Sequence, residues 1–147
     1  MTSLDDGPFP ALRQTVLDCT DARALAEFYR RLLGLRYRAG DEQPPSGVDD
    51  ERGRDWLVLE GATGTRLAFQ QVAELPPATW PEGDHPQMLH LDLVLPDREE
   101  LDRQHTRSLA LGAKLLLDRG DDPEEALRVY ADPAGHPFCF FVGPGGP

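Results

Sequence analysis

Gln14-Thr-Val-Leu-Asp-Cys-Thr-Asp21 and His90-Leu-Asp-Leu-Val-Leu-Pro-Asp97 follow the same plan, 76 residues apart in the chain. Each stretch opens with a polar residue, continues as a strand-like run, and places an aspartate seven residues later, where a helix N-cap is expected. A helical stretch follows in both copies and ends at a glycine, Gly34 or Gly112. Two hairpin-like segments come after each glycine, so the sequence predicts a duplicated unit of strand, helix and three strands.

A glycine-bearing turn precedes the last strand of each unit: Gly61-Ala-Thr-Gly64 in the first and Asp132-Pro-Ala-Gly135 in the second. Together with the duplicated opening, the second turn and the strand after it resemble the vicinal-oxygen-chelate superfamily. That superfamily includes glyoxalase I, extradiol dioxygenases, fosfomycin-inactivating enzymes and bleomycin-binding resistance proteins. The resemblance implies an α+β fold in which two tandem βαβββ modules form one cup-shaped, eight-stranded mixed sheet, the glyoxalase/bleomycin resistance fold.

The 147 residues suit one domain, which we expect to span residues 11–143. Module one is predicted at about 11–74 and module two at about 87–143. The proline-rich stretch 75–86 between them is predicted to be a linker. Residues 1–10 and 144–147 are predicted to be tails, the second of them frayed because it is built of glycine and proline.

The two predicted helices differ in their apolar surface. The first carries one apolar stripe at helical spacing, formed by Leu25, Phe28, Tyr29, Leu32 and Leu33. The second has a thinner stripe, because Gln104 and His105 occupy the positions that match Phe28 and Tyr29. Its opening, Asp97-Arg-Glu-Glu100, predicts a capping box at the first turn. Both helices are expected to pack on the outer face of the sheet.

Charge and composition exclude several partners. A net charge of -11 argues against nucleic acid binding, which needs a basic surface. The chain has no long apolar run and no basic, apolar leader, so neither a membrane span nor a secretory signal is expected.

Strand alternation places Cys19 and Cys139 on opposite faces, which favours free thiols in a reducing cytoplasm. The many Ala, Arg, Leu, Pro and Gly residues are typical of GC-rich bacterial genomes.

Alternation along the two first strands assigns their faces. Leu91, Leu93 and Leu95 form an apolar set that suits contact with a helix, so His90 and Asp92 must point into the predicted cup. The same count in the first copy sends Gln14, Val16 and Asp18 into the cup. Several polar groups thus converge on a surface that would be apolar in a simple core.

The resemblance also implies where a metal would bind. In metal-dependent relatives, two ligands come from the first strands and two from the last strands of the modules. The first-strand positions correspond to Gln14 and His90, and the fourth, a glutamate in relatives, corresponds to Cys139. The remaining position corresponds to Ala68 or, with a shift of two residues, to Gln70. Because both carboxylates are missing, we expect no metal cofactor, with one divalent ion held by His90, Asp92 and Cys139 as the alternative.

Aromatic and apolar side chains complete the expected pocket. Trp56 and Val58 share one parity on the third strand, Phe141 shares the parity of Cys139, and Trp80 in the linker can close one end. The segment Ala39 to Gly53 is either a mobile loop at the rim or an uninvolved surface loop. The predicted ligand-binding set is Gln14, Asp18, Trp56, Val58, Gln70, Trp80, His90, Asp92, Cys139 and Phe141.

Two classes of function fit this pattern. The first is a metal-independent protein that sequesters or recognises an aromatic or natural-product-like small molecule. The second is an enzyme, a lyase, isomerase or dioxygenase with an atypical metal site, or a metal-free catalyst in which His90 and Asp92 act as acid and base. Family resemblance also implies a homodimer.

Overall fold

The computed structural model describes Leu4 and residues 7–143, and it contains the predicted unit twice. The predicted tail at 144–147 and residues 1–3 and 5–6 lie outside the described residues. A short 3-10 turn, Arg52–Arg54, lies within the first unit. The first unit comprises β1 (Thr15–Cys19), α1 (Ala22–Leu33), β2 (Arg36–Tyr37), β3 (Trp56–Glu60) and β4 (Arg66–Gln71). The second comprises β5 (Leu91–Leu95), α2 (Arg98–Leu111), β6 (Lys114–Arg119), β7 (Leu127–Ala131) and β8 (Pro137–Val142).

Each unit forms its own mixed sheet. The strand order is β1-β4-β3-β2 in the first sheet and β5-β8-β7-β6 in the second. In both sheets the first and last strands of the unit pair in parallel, and the other pairs are antiparallel. The α+β fold of two βαβββ modules is confirmed, but backbone hydrogen bonds divide the eight strands into two sheets of four instead of one sheet of eight.

Both helices begin and end where the sequence predicts. The Asp21 side chain accepts a hydrogen bond from Ala24 N at 3.0 Å, and Asp97 accepts one from Glu100 N at 2.8 Å. Gly34 and Gly112 end the helices in the left-handed region, with φ of 67° and 114°. Only half of the predicted capping box forms, because the Glu100 carboxylate bonds to side chains one turn along the helix instead of the Asp97 amide.

A single apolar core joins the two modules. Leu91, Leu93 and Leu95 pack against it, as alternation along β5 predicts. Phe138 of β8 is fully buried, and its ring lies 5.9 Å from the Phe28 ring of α1. Tyr29 donates a hydrogen bond to the buried Asp132 Oδ2 at 2.6 Å, and burial raises the pKa of that carboxyl. The first helix therefore completes its packing on the last strand and turn of the second module.

A polar contact takes the place of apolar packing where α2 meets the second sheet. His105 Nδ1 lies 2.7 Å from the hydroxyl of the fully buried Tyr130, so a polar pair sits between helix and sheet. Arg107 reaches across to α1 and donates hydrogen bonds to the carbonyl oxygens of Arg31 and Leu32. These carbonyls belong to the last turn of α1, where a cation is favourable.

The segment 39–53 is anchored to the first sheet by a buried aspartate. Asp41 is fully buried, and its Oδ2 accepts a hydrogen bond from Val58 N at 2.9 Å. Its carboxylate also pairs with Arg52 at 2.8 Å and Arg38 at 3.0 Å. Arg23 of α1 donates to the Asp41 carbonyl at 2.7 Å, so the segment is fixed to both the helix and the sheet. The anchored segment adjoins the backbone of Val58 in β3.

Replacing Asp41 with alanine is expected to lower the free energy of unfolding by about 2–4 kcal/mol, because the Val58 amide would lose its buried acceptor and two arginines their partner. Asp49→Asn is the matched control, since Asp49 pairs with Arg54 on the surface, where its side chain is 73% exposed. That variant should change stability by less than about 0.5 kcal/mol. Urea denaturation measures both, and equal losses would contradict the anchoring role of Asp41.

No helix within the described part of the chain is long and apolar enough to cross a membrane. Both cysteines are free: Cys19 is buried on the helix side of β1, and Cys139 is half-buried on β8.

Candidate small-molecule site

Three of the predicted site residues meet at the paired strands β5 and β8. Asp92 lies directly opposite Cys139 in the parallel register. The Cys139 thiol donates a hydrogen bond to Asp92 Oδ1 at 2.9 Å, and His90 Nε2 lies 3.1 Å from the same oxygen. All three side chains lie on the sheet face away from the core, where the helix does not reach.

The Cys139 thiol is a proton donor at neutral pH. Burial, followed by the hydrogen bond to Asp92 and the charge of that carboxylate, raises the pKa of Cys139 to about 12. In the metal-free protein a thiol with this pKa stays protonated and is a poor nucleophile, since the thiolate is the reactive species. In this contact the thiol is therefore the donor, and Asp92 Oδ1 is the acceptor.

A cavity of about 450 Å³ opens above these residues. We refer to it as the Asp92 cavity. Its lining is largely apolar and aromatic, with a few polar groups, which is the usual make-up of a small-molecule pocket. Trp80 and Gln87, from the segment that joins the modules, contribute to the wall. The lining residues are Trp80, Gln87, His90, Asp92, Leu117, Arg119, Glu125, Leu127, Val129, Pro137, Phe138, Cys139 and Phe141.

The predicted residues of the first module do not reach this cavity. Gln14 lines a separate opening of about 700 Å³ between β1 and β5, where its Oε1 accepts a hydrogen bond from Arg66 at 3.4 Å. Asp18 is exposed and lines another opening, of about 390 Å³, along the linker. Trp56, Val58 and Gln70 lie on β3 and β4 of the first sheet and line neither the Asp92 cavity nor the openings that contain Gln14 and Asp18.

Three openings are larger than the Asp92 cavity, at about 720, 700 and 520 Å³. The largest lies along the linker and β6, away from His90 and Cys139, and the smallest of the three lies beside the turn Arg52–Arg54. The opening of about 700 Å³ has both Gln14 and Asp92 in its lining. We take the Asp92 cavity as the candidate site because it alone, among the described residues, combines the hydrogen-bonded polar group with aromatic walls.

Sequence reasoning did not single out the walls from β6 and β7. Leu127 and Val129 face the cavity because Val129 lies opposite Cys139 and Leu127 lies opposite Phe141 in the antiparallel register. Alternation within Leu127-Arg-Val-Tyr-Ala131 puts Leu127 and Val129 on one face of the strand. Only the register with β8 shows that this face lines the cavity. Arg119 and Glu125 stand at the rim and lie 4.0 Å apart.

The positions that correspond to metal ligands in relatives do not fit a metal here. No group of three or more His, Cys, Asp or Glu side chains within the described ranges is arranged to hold a metal ion. Ala68 has no donor and is fully buried, and Gln14 is hydrogen-bonded to a guanidinium that would repel a cation. The Cys139 thiol donates a hydrogen bond to Asp92, and a metal ion would have to displace this contact.

Comparison with known families identifies the chain. A family model described as a glyoxalase-like domain matches residues 14–141, so the chain belongs to the glyoxalase-like family. The predicted resemblance is thereby confirmed. No curated protein matches the sequence significantly.

Solved structures share the fold. A glyoxalase/dioxygenase from Nostoc punctiforme is 22% identical, with a TM-score of 0.64, over 97% of this chain and 99% of that one. The fosfomycin resistance protein FosX from Mesorhizobium loti is 15% identical, with a TM-score of 0.63, over 92% and 94%. A lactoylglutathione lyase from Agrobacterium tumefaciens is 22% identical, with a TM-score of 0.56, over 93% and 96%. At these identities the likeness concerns the fold alone, and function must be argued from the site.

Proposed function

We propose that this glyoxalase-like protein binds a small aromatic or natural-product-like molecule in the Asp92 cavity, without a metal ion, in order to sequester or recognise it. One observation carries the proposal. Where metal-dependent relatives have a glutamate ligand, this chain has the protonated thiol of Cys139, already donating to Asp92. The cavity keeps an apolar, aromatic wall and a fixed carboxylate, which suit recognition of an organic ligand.

The first test uses naphthalen-1-ylmethanol as a neutral aromatic probe. Saturable binding is expected, and Trp80→Leu should weaken it about tenfold through lost stacking and apolar contact. Trp56→Leu is the matched control, because Trp56 lies in β3 and does not line the Asp92 cavity. Equilibrium dialysis measures the three affinities. Equal weakening in both variants, or no saturable binding at all, would contradict the proposal.

The second test concerns metal. After dialysis against zinc, iron(II), nickel or manganese and removal of free ions, the protein is expected to retain substoichiometric metal, because anionic donors are missing at the ligand positions. A chelator should leave the melting temperature unchanged. Elemental analysis and thermal unfolding measure these outcomes. Stoichiometric metal whose removal lowers stability would overturn the metal-independent function.

Acid–base catalysis is the second candidate function. One contact favours it: His90 Nε2 lies 3.1 Å from Asp92 Oδ1, and a carboxylate in this position can orient a histidine. Product analysis of bound compounds discriminates the two functions. Turnover that is lost in His90→Gln would favour catalysis, whereas saturable binding without turnover would favour sequestration.

The proposal includes a homodimer and a cytoplasmic location. The homodimer rests on the family resemblance, and sedimentation analysis of the purified protein tests it. The location is supported by two free cysteines, which are typical of reducing compartments.

A further inference from the structure

The second oxygen of Asp92 is open to a ligand. Oδ1 holds both protein contacts, those with the Cys139 thiol and the His90 ring. Within the described residues no hydrogen bond reaches Oδ2, and the Asp92 side chain is 60% exposed. A carboxylate held at one oxygen and free at the other presents a fixed negative acceptor to the cavity.

The one cationic side chain of the lining is already engaged. Arg119 donates to Asp122 at 2.9 Å and lies 4.0 Å from Glu125. It therefore does not offset the charge of Asp92, which faces apolar and aromatic walls from Trp80 and Phe141. A carboxylate beside an apolar, aromatic wall is complementary to a positive group carried on a flat apolar body.

We propose that the ligand of the Asp92 cavity is an organic cation with N–H donors, such as a primary ammonium or amidinium group, attached to an aromatic body. The cation would bind Asp92 Oδ2, and the aromatic body would lie against Trp80 and Phe141. This inference rests on the proposed function and specifies the class of molecule that the site selects.

Four probes with the same naphthalene body test the inference: the methylammonium, its N-trimethyl form, the methanol and the carboxylate. Dialysis at neutral pH is expected to show the methylammonium binding about tenfold more tightly than the alcohol, because it adds a charge-assisted hydrogen bond. The carboxylate should bind most weakly. The trimethyl form should fall below the methylammonium, because it has the charge but no N–H donor.

Two variants test whether Asp92 causes the preference for the methylammonium over the alcohol. Asp92→Asn should abolish the preference, so that the methylammonium binds this variant no more tightly than the alcohol does. Asp121→Asn changes the net charge equally, but Asp121 does not line the cavity, so the preference should persist. Circular dichroism verifies that both variants are folded.

The outcomes separate this inference from the proposed function. Equal affinities of the wild type for all four probes, or a cation preference that survives Asp92→Asn, would overturn the inference and leave small-molecule binding intact. If no probe binds, both the inference and the proposed function fail.

Discussion

Alkylation of Cys139 in the folded protein at pH 8 is expected to be on the order of 1,000-fold slower than that of an ordinary cysteine. The thiolate is the reactive species, and its population falls tenfold for each unit by which the pKa rises. Burial and the Asp92 carboxylate raise the pKa of Cys139 to about 12, from an ordinary value of 9.0. Iodoacetamide labelling followed by peptide mass spectrometry gives the rate at each cysteine.

Asp92→Asn provides the matched variant for this measurement. The substitution removes the negative charge that disfavours the thiolate, so Cys139 should react faster than in the wild type, while Cys19 serves as an internal reference. Burial raises the pKa of Cys19 to about 11, with nearby carboxylates adding to the shift, so its labelling should also be slow in both proteins. Labelling of wild-type Cys139 at the rate of an unfolded peptide would show that the thiol is not held by Asp92.

Phe138→Ala is expected to lower the free energy of unfolding by about 3–5 kcal/mol, through lost burial and the cavity left behind. Phe138 is fully buried, and its ring stacks on Tyr130 at 5.3 Å. It also contacts the rings of Phe28 and Tyr29, so the substitution removes packing from both modules at once. Urea denaturation should show one transition, shifted to lower concentration.

Phe141→Ala is the control, because Phe141 is on the same strand but faces the Asp92 cavity. It is only half-buried, so the loss should be about 1 kcal/mol, with weaker binding of the naphthalene probes. Equal destabilisation by the two substitutions would mean that the faces of β8 are not divided between core and cavity.

The parts of the fold that depend on nearby residues could be predicted from the sequence. Aspartate caps and glycine ends are local signals, and Asp21, Gly34, Asp97 and Gly112 all occupy the expected positions. Alternation also placed Leu93 towards the helix and Asp92 away from it, since side chains on a strand change face at every residue. These rules need no knowledge of distant contacts.

The placement of the first-module residues could not be predicted in the same way. Alternation gave the face of Val58, but it did not show that the buried Asp41 would bond to the Val58 amide beside that face. This contact joins residues 17 positions apart through a segment whose one regular element, among the described residues, is the short 3-10 turn Arg52–Arg54. The predicted strand pairing within each module also did not show whether hydrogen bonds would join the strands of the two modules into one sheet. Contacts of this kind depend on the whole tertiary structure.

The hydrogen bond between Tyr29 and Asp132 spans 103 positions of the chain, and the packed rings of Phe28 and Phe138 are still further apart in sequence. During synthesis on the ribosome, the first helix emerges well before the strand that covers its aromatic side chains. Contacts between distant positions slow folding, because the long loop must close before they form. Tyr29 can already stack on Phe69 of its own module, but Phe28 and Tyr29 lack their contacts with Phe138 until the last strand leaves the exit tunnel, a period in which a chaperone could bind the chain.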